Sequence, residues 1–326
     1  MASVFHYTDS GGAVGILTTR SLFASDSRYL NDYSEGALID TLLSPILLAE
    51  VATATKELVE AGLLDKRYYQ EQGSKADSLQ VDALFRSIRT ATNNISPVYV
   101  VSFCRHEEGS EQFKNGLLSQ WRGYAGRGGF ALEFDEEGLE ALISHEIKRF
   151  FFGPVVRRDV LYDDFQKLFD PKDYVGLARA MIGKMFLDPK VTPIADKENR
   201  AKVKEIAGNK NIDEAVSKFL STAPFLKNSG FHEEREFRLA IAGVRQGRVP
   251  AKAKKDAKPV EFRVRGDLIV PYIRLFGGPK TKLPIRSIIV GPHPHQELQR
   301  EAMSHLLENA KIDASVRLSE IPFRGS

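Results

Sequence analysis

The sequence predicts an α+β fold built on a bent or split β-sheet with helical insertions. Strand-like runs gather towards both ends of the 326-residue chain, and long helical runs stand between them. Strands and helices do not alternate regularly, which disfavours a doubly wound parallel sheet. Because no linker-like stretch interrupts the chain, we predict a single domain over residues 1–326, with helical insertions at about 34–93 and 159–220.

The predicted strands are short β-prone runs bounded by turn residues. They are expected at residues 4–8, 21–24, 98–103, 130–134, 151–156, 236–242, 262–264, 268–272, 286–290 and 315–318. Further helices are expected at 13–19, 135–145 and 296–310. Pro45, Gly62 and the pair Gly73 and Ser74 are expected to break the first insertion, because proline and glycine interrupt helices.

Composition places the chain among ordinary globular proteins. Hydrophobic residues make up 42% and charged residues 27%, which excludes collagen-like, fully disordered and disulfide-scaffold classes. Cys104 is the sole cysteine, so the chain has no internal disulfide and no cysteine-based zinc site. The most apolar stretch, residues 37–54, contains Asp40, Pro45 and Glu50 and is too polar for a membrane span. We therefore expect a cytoplasmic protein without a membrane partner.

Positive charge is concentrated in residues 248–286. This segment has eleven Lys and Arg against three Asp and Glu, a local +8, whereas the whole chain has +3. The rest of the chain therefore sums to −5. Such a segment suits a polyanion, either nucleic acid or a pyrophosphate cofactor, but a solvated lysine-rich loop has the same composition.

Several common catalytic motifs are missing from the sequence. It contains no GxxxxGK[ST], no GxGxxG after a strand, no HExxH and no GxSxG. His293 and His295 stand two residues apart, but no third metal ligand accompanies them. We predict no metal site.

The N-terminal segment carries the first candidate site. His6 and Thr8 lie on one face of the predicted first strand, because strand side chains alternate. Phe23 and Ser25 follow on the next strand, with Tyr29 just beyond. Imidazole, hydroxyl and aromatic groups in this combination would suit a ligand that has ribose hydroxyls and a flat ring.

The segment FHEEREFRLAI carries the second candidate site. Glu234, Glu236 and Arg238 are predicted to share one strand face, opposite core residues. Such a face is either solvated or the wall of an active site. The single tryptophan, Trp121, stands in QWRGYAGRGGFALEF and suits either a packed corner or a pocket wall.

Two resemblances follow from these motifs. The chain contains, in this order, the motifs FHYT, LFAS with LND, VVSFC, QWRGYA with GGFALEF, EREFRLAI, IIVGP and SEIPFR. Together these motifs resemble a large bacterial family that is known as a domain of unknown function. The His-x-Thr strand and the LFASDSRYLND segment are similar to ADP-ribosyltransferases of the His-Tyr-Glu type. That triad order is met by His6, Tyr29 and either Glu234 or Glu236.

The second resemblance implies an ADP-ribosyltransferase-like sheet and an enzyme that takes NAD as its substrate. It implies Glu236, Glu234 and Tyr29 as catalytic residues, with Glu236 favoured over Glu234. The residues implied to bind NAD are His6, Tyr7, Thr8, Phe23, Ser25, Asn31, Trp121 and Arg238. A carboxylate would stabilise the oxocarbenium-like state that forms when the nicotinamide–ribose bond breaks.

The acceptor would be a cellular macromolecule, nucleic acid or protein, as in a toxin or phage-defence effector that an antitoxin restrains. Two alternatives remain open from the sequence. An NAD glycohydrolase on the same scaffold would use water as the acceptor. A non-catalytic nucleic-acid-binding or sensor module would instead rest on the basic segment and the aromatic residues.

Overall fold

The computed structural model describes residues 2–30, 35–124, 129–190, 196–244, 247, 249–253 and 255–322. Within the two longest helices, the side chains of residues 35–37, 68–70, 72–74, 91–92 and 95 are not described. The contacts divide the chain into two compact units. Unit 1 comprises Met1–Asn31, Pro97–Tyr162 and Ser229–Ser326, and unit 2 comprises Asp32–Ser96 and Asp163–Asn228. The predicted insertion 34–93 falls within unit 2, and so does the insertion 159–220 from Asp163 onwards.

The strands all belong to unit 1. They are β1 (Ser3–Thr8), β2 (Ser21–Asp26), β3 (Val98–Cys104), β4 (Phe130–Asp135), β5 (Val155–Asp159), β6 (Glu236–Ala242), β7 (Val260–Arg265), β8 (Leu268–Phe276), β9 (Ile285–Val290) and β10 (Ser315–Leu318). The helices are α1 (Ser10–Thr19), α2 (Glu35–Glu60), α3 (Lys66–Ile95), α4 (Glu111–Asn115), α5 (Leu118–Tyr124), α6 (Glu136–Arg149), α7 (Leu177–Leu187), α8 (Lys197–Ala207), α9 (Ile212–Thr222) and α10 (Gln296–Ala310).

Unit 1 is an α+β structure on a mixed, open sheet, which confirms the α+β class that the sequence predicts. The strand order is β10-β9-β4-β1-β3-β2-β8-β7, and β6 adds to β3 with β5 beyond it. The pair β9 and β10 is parallel, whereas the other strand pairs are antiparallel.

The sheet forks along one edge of β3. On that edge β2 pairs with β3 at Tyr99 and Val100, and β1 pairs with it at Cys104. Between these two points residues 101–103 have no strand partner on that edge among the described residues, because β1 and β2 diverge there. On its other edge β3 pairs with β6 along its whole length. The fork therefore opens beside the middle of the most central strand.

A buried apolar core fixes this framework in unit 1. Val4, Phe103, Phe134 and Ile288 are at most 1% exposed and belong to one hydrophobic cluster. Helix α1 adds buried residues to the same cluster, and Asp9 caps its N-terminus by accepting a hydrogen bond from the Gly12 amide at 2.7 Å. Burial of large apolar side chains supplies most of the stabilising free energy in such a core.

Unit 2 is helical in its described residues. Helix α2 packs against α3, α7 and α8, and its buried residues recur every three or four positions. These residues are Ile39, Leu43, Leu47, Val51, Ala54 and Leu58. Within α2, Leu38–Glu60 is long and apolar enough to span a membrane, with a mean hydropathy of 1.4. One such segment is weak support for a span, because the core helix of a helical unit has the same length and composition.

Two of the predicted breaks in the first insertion are wrong. Helix α2 continues through Pro45, whose ring is exposed, and α3 continues through residues 73 and 74. Proline at the solvent side of a helix removes one hydrogen bond without ending the helix when packing holds both halves. The break at Gly62 is confirmed, since this glycine has a φ of 73° between the two helices. Strand β5 lies at Val155–Asp159, a few residues later than predicted.

Close approach of α7 and α8 in unit 2 depends on Gly183. A Cβ atom at this position would lie 2.1 Å from the Cβ of Ala207 and 3.2 Å from its Cα. We predict that Gly183→Ala lowers the free energy of unfolding by about 1–3 kcal/mol, because overpacking outweighs the better helix propensity of alanine. Urea denaturation followed by circular dichroism measures this change.

Gly123 provides the matched control, since it is also helical but a Cβ added there would have no other atom within 4 Å. Gly123→Ala should leave stability unchanged or raise it by up to about 1 kcal/mol. A Gly183→Ala variant as stable as the wild type would contradict the close helix packing.

Candidate functional site

A cavity of about 460 Å³ lies at the fork of the sheet in unit 1. Strands β1, β2 and β3 contribute to its wall, together with the start of α1 and the end of β7. Seven of the residues predicted as site residues line it: His6, Tyr7, Thr8, Phe23, Ser25, Glu234 and Glu236. Its volume falls in the range of small-molecule sites.

His6 bridges the fork. Its Nδ1 lies 2.9 Å from the backbone oxygen of Ser102, which has no strand partner on this edge. A carbonyl oxygen only accepts, so Nδ1 carries the proton and donates it to Ser102. Burial lowers the pKa of His6 below its usual value, the hydrogen bond to Ser102 opposes this, and the nearby Arg263 lowers it further.

A neutral His6 therefore keeps Nε2 as a hydrogen-bond acceptor. Because Ser102 uses the proton on Nδ1, the ring N–H of His6 is not available to a ligand. A ligand hydroxyl could donate to Nε2 instead.

Thr8 stands beside the first turn of α1. A Cβ on Gly12 would lie 2.0 Å from the Thr8 hydroxyl oxygen, so glycine at this position leaves the space that the hydroxyl occupies. Gly11, Gly12 and Asp9 line the cavity with Thr8. The Asp9 carboxylate lies at the same end of the cavity, where it caps the helix.

Glu236 is the first residue of β6 and pairs with Cys104 of β3. Arg238 donates from Nε to Oε1 at 2.6 Å and from Nη2 to Oε2 at 2.9 Å, which is a bidentate ion pair. Both side chains are buried, with 4% and 2% exposure. The backbone of Glu236 is held as well, since its amide donates to the Tyr162 hydroxyl at 2.9 Å. The carboxylate is thus fixed in position at the cavity wall.

Glu234 does not share the strand face of Glu236. It ends the 3-10 turn Ser229–Glu234, and Arg235 between the two glutamates has a φ of 42°, outside the strand region. The prediction of one Glu-x-Glu-x-Arg strand face is therefore wrong for Glu234, although Glu234 still lines the cavity. The alternative of a solvated face is wrong too, because every residue of β6 is buried between β3 and β5.

The other predicted site residues either do not line the cavity or lie outside the residues that the structure describes. Arg238 reaches the site through Glu236 and is not a lining residue. Tyr29 lies in the 3-10 turn Ser27–Tyr29, where its backbone oxygen accepts a hydrogen bond from Arg265, and its side chain is not among those that line the cavity. Asn31 lies outside the described residues.

Trp121 packs behind the cavity and supports Tyr7. Its Nε1 donates to the backbone oxygen of Asn115 at 3.0 Å, and its ring meets the Tyr7 ring edge-on at a centroid distance of 4.8 Å. A Cβ on Gly116 would lie 2.4 Å from the indole ring, so this glycine leaves room for the tryptophan. Of the two interpretations open from the sequence, the packed corner matches this geometry.

Tyr7 is fixed by a hydrogen-bond relay. Its hydroxyl accepts from the Leu117 amide at 2.8 Å, so its single proton is available to His106 Nε2, also at 2.8 Å. Burial lowers the pKa of His106 to about 4, despite a hydrogen bond to the Arg105 backbone. His106 is thus a neutral acceptor at physiological pH, and Tyr7 contributes a rigid wall to the cavity.

Sequence reasoning missed several lining residues, chiefly Arg263 and Arg265 of β7. The side chains of β7 alternate between exposed apolar and less exposed charged residues, which reverses the pattern of an ordinary surface strand. The sequence shows the alternation, since EFRVR places Glu261, Arg263 and Arg265 on one face, but it does not show which face turns inward. Gln120 and Tyr124 of α5 also line the cavity.

The cations of the basic segment are dispersed in the structure. Lys258 pairs with Glu146, Arg274 with Glu261, and Arg286 with Asp135. Arg263 and Arg265 point instead to the cavity. Within the described residues, no group of three or more His, Cys, Asp or Glu side chains could hold a metal ion.

The Glu236–Arg238 pair gives a stability prediction. Arg238→Met should lower the free energy of unfolding by about 3–5 kcal/mol, because the buried carboxylate loses the cation that offsets its charge. Adding Glu236→Gln to Arg238→Met should recover much of this loss. Urea denaturation of the wild type, the single variants and the double variant measures the coupling. Equal stability of Arg238→Met and the double variant would contradict it.

Comparison with known proteins gives a family match but no relative of known activity. Searches among curated proteins and among solved structures found no match. A family model described as protein of unknown function (DUF2971) matches residues 120–239. The matched segment includes Trp121, Glu234, Glu236 and Arg238. It supports the resemblance of this chain to a domain-of-unknown-function family.

Proposed function

We propose that unit 1 binds NAD in the fork cavity and transfers ADP-ribose to a macromolecular acceptor. The observation that carries this proposal is the composition of the cavity wall. His6, Thr8 and Phe23 come from the N-terminal segment and meet two carboxylates, Glu234 and Glu236, from a segment more than 200 residues later. A dinucleotide needs hydroxyl partners, an aromatic face and a negative charge near the reacting sugar, and this wall offers all three.

The bond that breaks joins the nicotinamide nitrogen to C1′ of its ribose. The electron pair of this bond leaves with nicotinamide, which becomes neutral, and the ribose gains oxocarbenium character. A fixed carboxylate stabilises that positive charge more in the transition state than in the ground state. Glu236 suits this role, because its ion pair with Arg238 holds the carboxylate in place without movement during the reaction.

Glu234 suits the acceptor side of the same reaction. The acceptor nucleophile attacks C1′ and loses a proton, which a nearby carboxylate can take. Glu234 lies on a 3-10 turn rather than within the sheet, and it lines the same cavity as Glu236.

His6 and Phe23 suit the binding of the cofactor. Nε2 of the neutral His6 accepts a hydrogen bond from a ribose hydroxyl, and the Phe23 ring supplies a flat apolar face. Phe23 rather than Tyr29 supplies the aromatic face in this proposal, because Phe23 lines the cavity and Tyr29 does not. The nature of the acceptor and an antitoxin partner remain predictions from the sequence.

The proposal predicts that the purified protein consumes NAD when a cell lysate supplies acceptors. With NAD labelled in its adenylate part, label should move to a protein, RNA or DNA fraction. Glu236→Gln should lower the rate by about 100-fold or more, because the charge that stabilises the transition state is lost. Separation of macromolecular and small-molecule fractions measures both transfer and release.

Arg300→Gln is a control that removes a charge from the surface of α10, where Arg300 pairs with Glu297. It should transfer ADP-ribose at the wild-type rate. Release of free ADP-ribose without labelled macromolecules would identify a glycohydrolase instead. NAD that stays intact in the presence of lysate would contradict both activities.

A further inference from the structure

We infer that Arg263, assisted by Arg265, forms a subsite for the diphosphate group of a nucleotide in the fork cavity. This inference deepens the proposed function and rests on it for the identity of the whole ligand. Both arginines line the cavity and belong to the basic segment 248–286, although neither was predicted individually as a site residue.

The backbone of β7 directs both arginines to the cavity. This strand is the last in the sheet order, and it pairs with β8 through all six residues. Its outward residues Val260, Phe262 and Val264 are 39–77% exposed, whereas Arg263 and Arg265 alternate with them and are partly buried. Inward-pointing charges on an edge strand hinder edge-to-edge pairing, but a partly buried guanidinium still needs acceptors for its donors.

The contacts of Arg263 leave its charge without a carboxylate partner in the described part of unit 1. Its Nη2 donates to the Ser25 hydroxyl at 2.8 Å, and its guanidinium lies 5.7 Å from the Phe23 ring centre and 5.9 Å from that of Tyr272. Its Nε is buried and has no hydrogen-bond partner among the described residues. Asp9 is the carboxylate that interacts with it electrostatically, and it is used in capping α1.

The guanidinium of Arg263, half-buried and without a carboxylate partner among the described residues, favours an anionic ligand. Burial and the neighbouring Arg265 both lower the pKa of Arg263, and Asp9 only partly opposes them. A buried cation without an opposite charge is costly, and a phosphate group bound in the cavity would supply the missing negative charge. Arginine binds phosphate through two parallel hydrogen bonds, which makes such contacts both strong and directional.

The rest of the cavity wall selects a nucleotide over a nucleic acid. Glu234 and Glu236 line the same cavity as the two arginines, so a uniformly anionic strand would meet two carboxylates. NAD carries the opposite arrangement, a cationic nicotinamide ring at one end and a diphosphate in the middle. This charge pattern matches a cavity that has carboxylates and arginines in different parts of its wall.

Isothermal titration calorimetry with ADP, ADP-ribose and adenosine tests the subsite without requiring any reaction. The wild type should bind ADP and ADP-ribose more tightly than adenosine. Arg263→Gln should weaken ADP binding by about tenfold or more, which is about 1.4 kcal/mol, while adenosine binding stays the same. Arg263→Lys should keep only part of the affinity, because lysine cannot form the bidentate contact.

Arg300→Gln is again the matched control, since it removes a surface guanidinium that does not line the cavity, and it should bind ADP as the wild type does. Circular dichroism and thermal unfolding verify that Arg263→Gln is folded. Equal ADP affinity of folded Arg263→Gln and wild type would overturn the subsite. Absence of ADP binding to the wild type would overturn the subsite as well. So would displacement of bound ADP by single-stranded RNA but not by ADP-ribose.

The two proposals fail in different ways. If NAD is not cleaved but ADP binding depends on Arg263, the subsite stands and the transferase does not. If NAD is cleaved and ADP binding is indifferent to Arg263→Gln, the transferase stands and the diphosphate lies elsewhere.

Discussion

One hydrogen bond holds the centre of this site. Where β1 and β2 separate along the edge of β3, the Ser102 carbonyl loses its strand partner, and the His6 ring takes that place at 2.9 Å. An unpaired carbonyl in a half-buried cleft would be costly, so the imidazole satisfies the backbone and keeps the fork open. The same contact fixes the tautomer of His6 and leaves Nε2 for a ligand. The cavity therefore depends on the separation of β1 and β2 and on the tautomer of His6 that this separation fixes.

The charges around the fork follow from the same geometry. On the other edge of β3, Arg238 lies opposite Ser102 and Glu236 opposite Cys104, and their buried ion pair fixes the Glu236 carboxylate in position. From the β2 side, Arg263 reaches Ser25 and brings a positive charge to the same cavity. The site is therefore dipolar, which suits a ligand with separated charges better than a simple anion.

The sequence predicted much of unit 1 because its strands are short alternating runs between turn residues. Strands β6 and β10 and helix α10 lie at the predicted residues. Alternation alone could not show that Glu234 leaves the strand, since the break is a backbone angle at Arg235 that no residue type announces. Nor could it show Arg263 in the cavity, because inward and outward faces of an edge strand depend on what packs beside it.

The protonation state of His6 shows whether its ring joins β1 to the Ser102 carbonyl and leaves Nε2 for a ligand. Long-range ¹H–¹⁵N correlation spectra of protein labelled at histidine, assigned with His6→Asn, report which ring nitrogen carries the proton. We expect a neutral ring protonated on Nδ1 at neutral pH and a shift of the Nε2 resonance when ADP-ribose is added. A proton on Nε2, or a ring that ADP-ribose leaves unchanged, would contradict the fork as the nucleotide site.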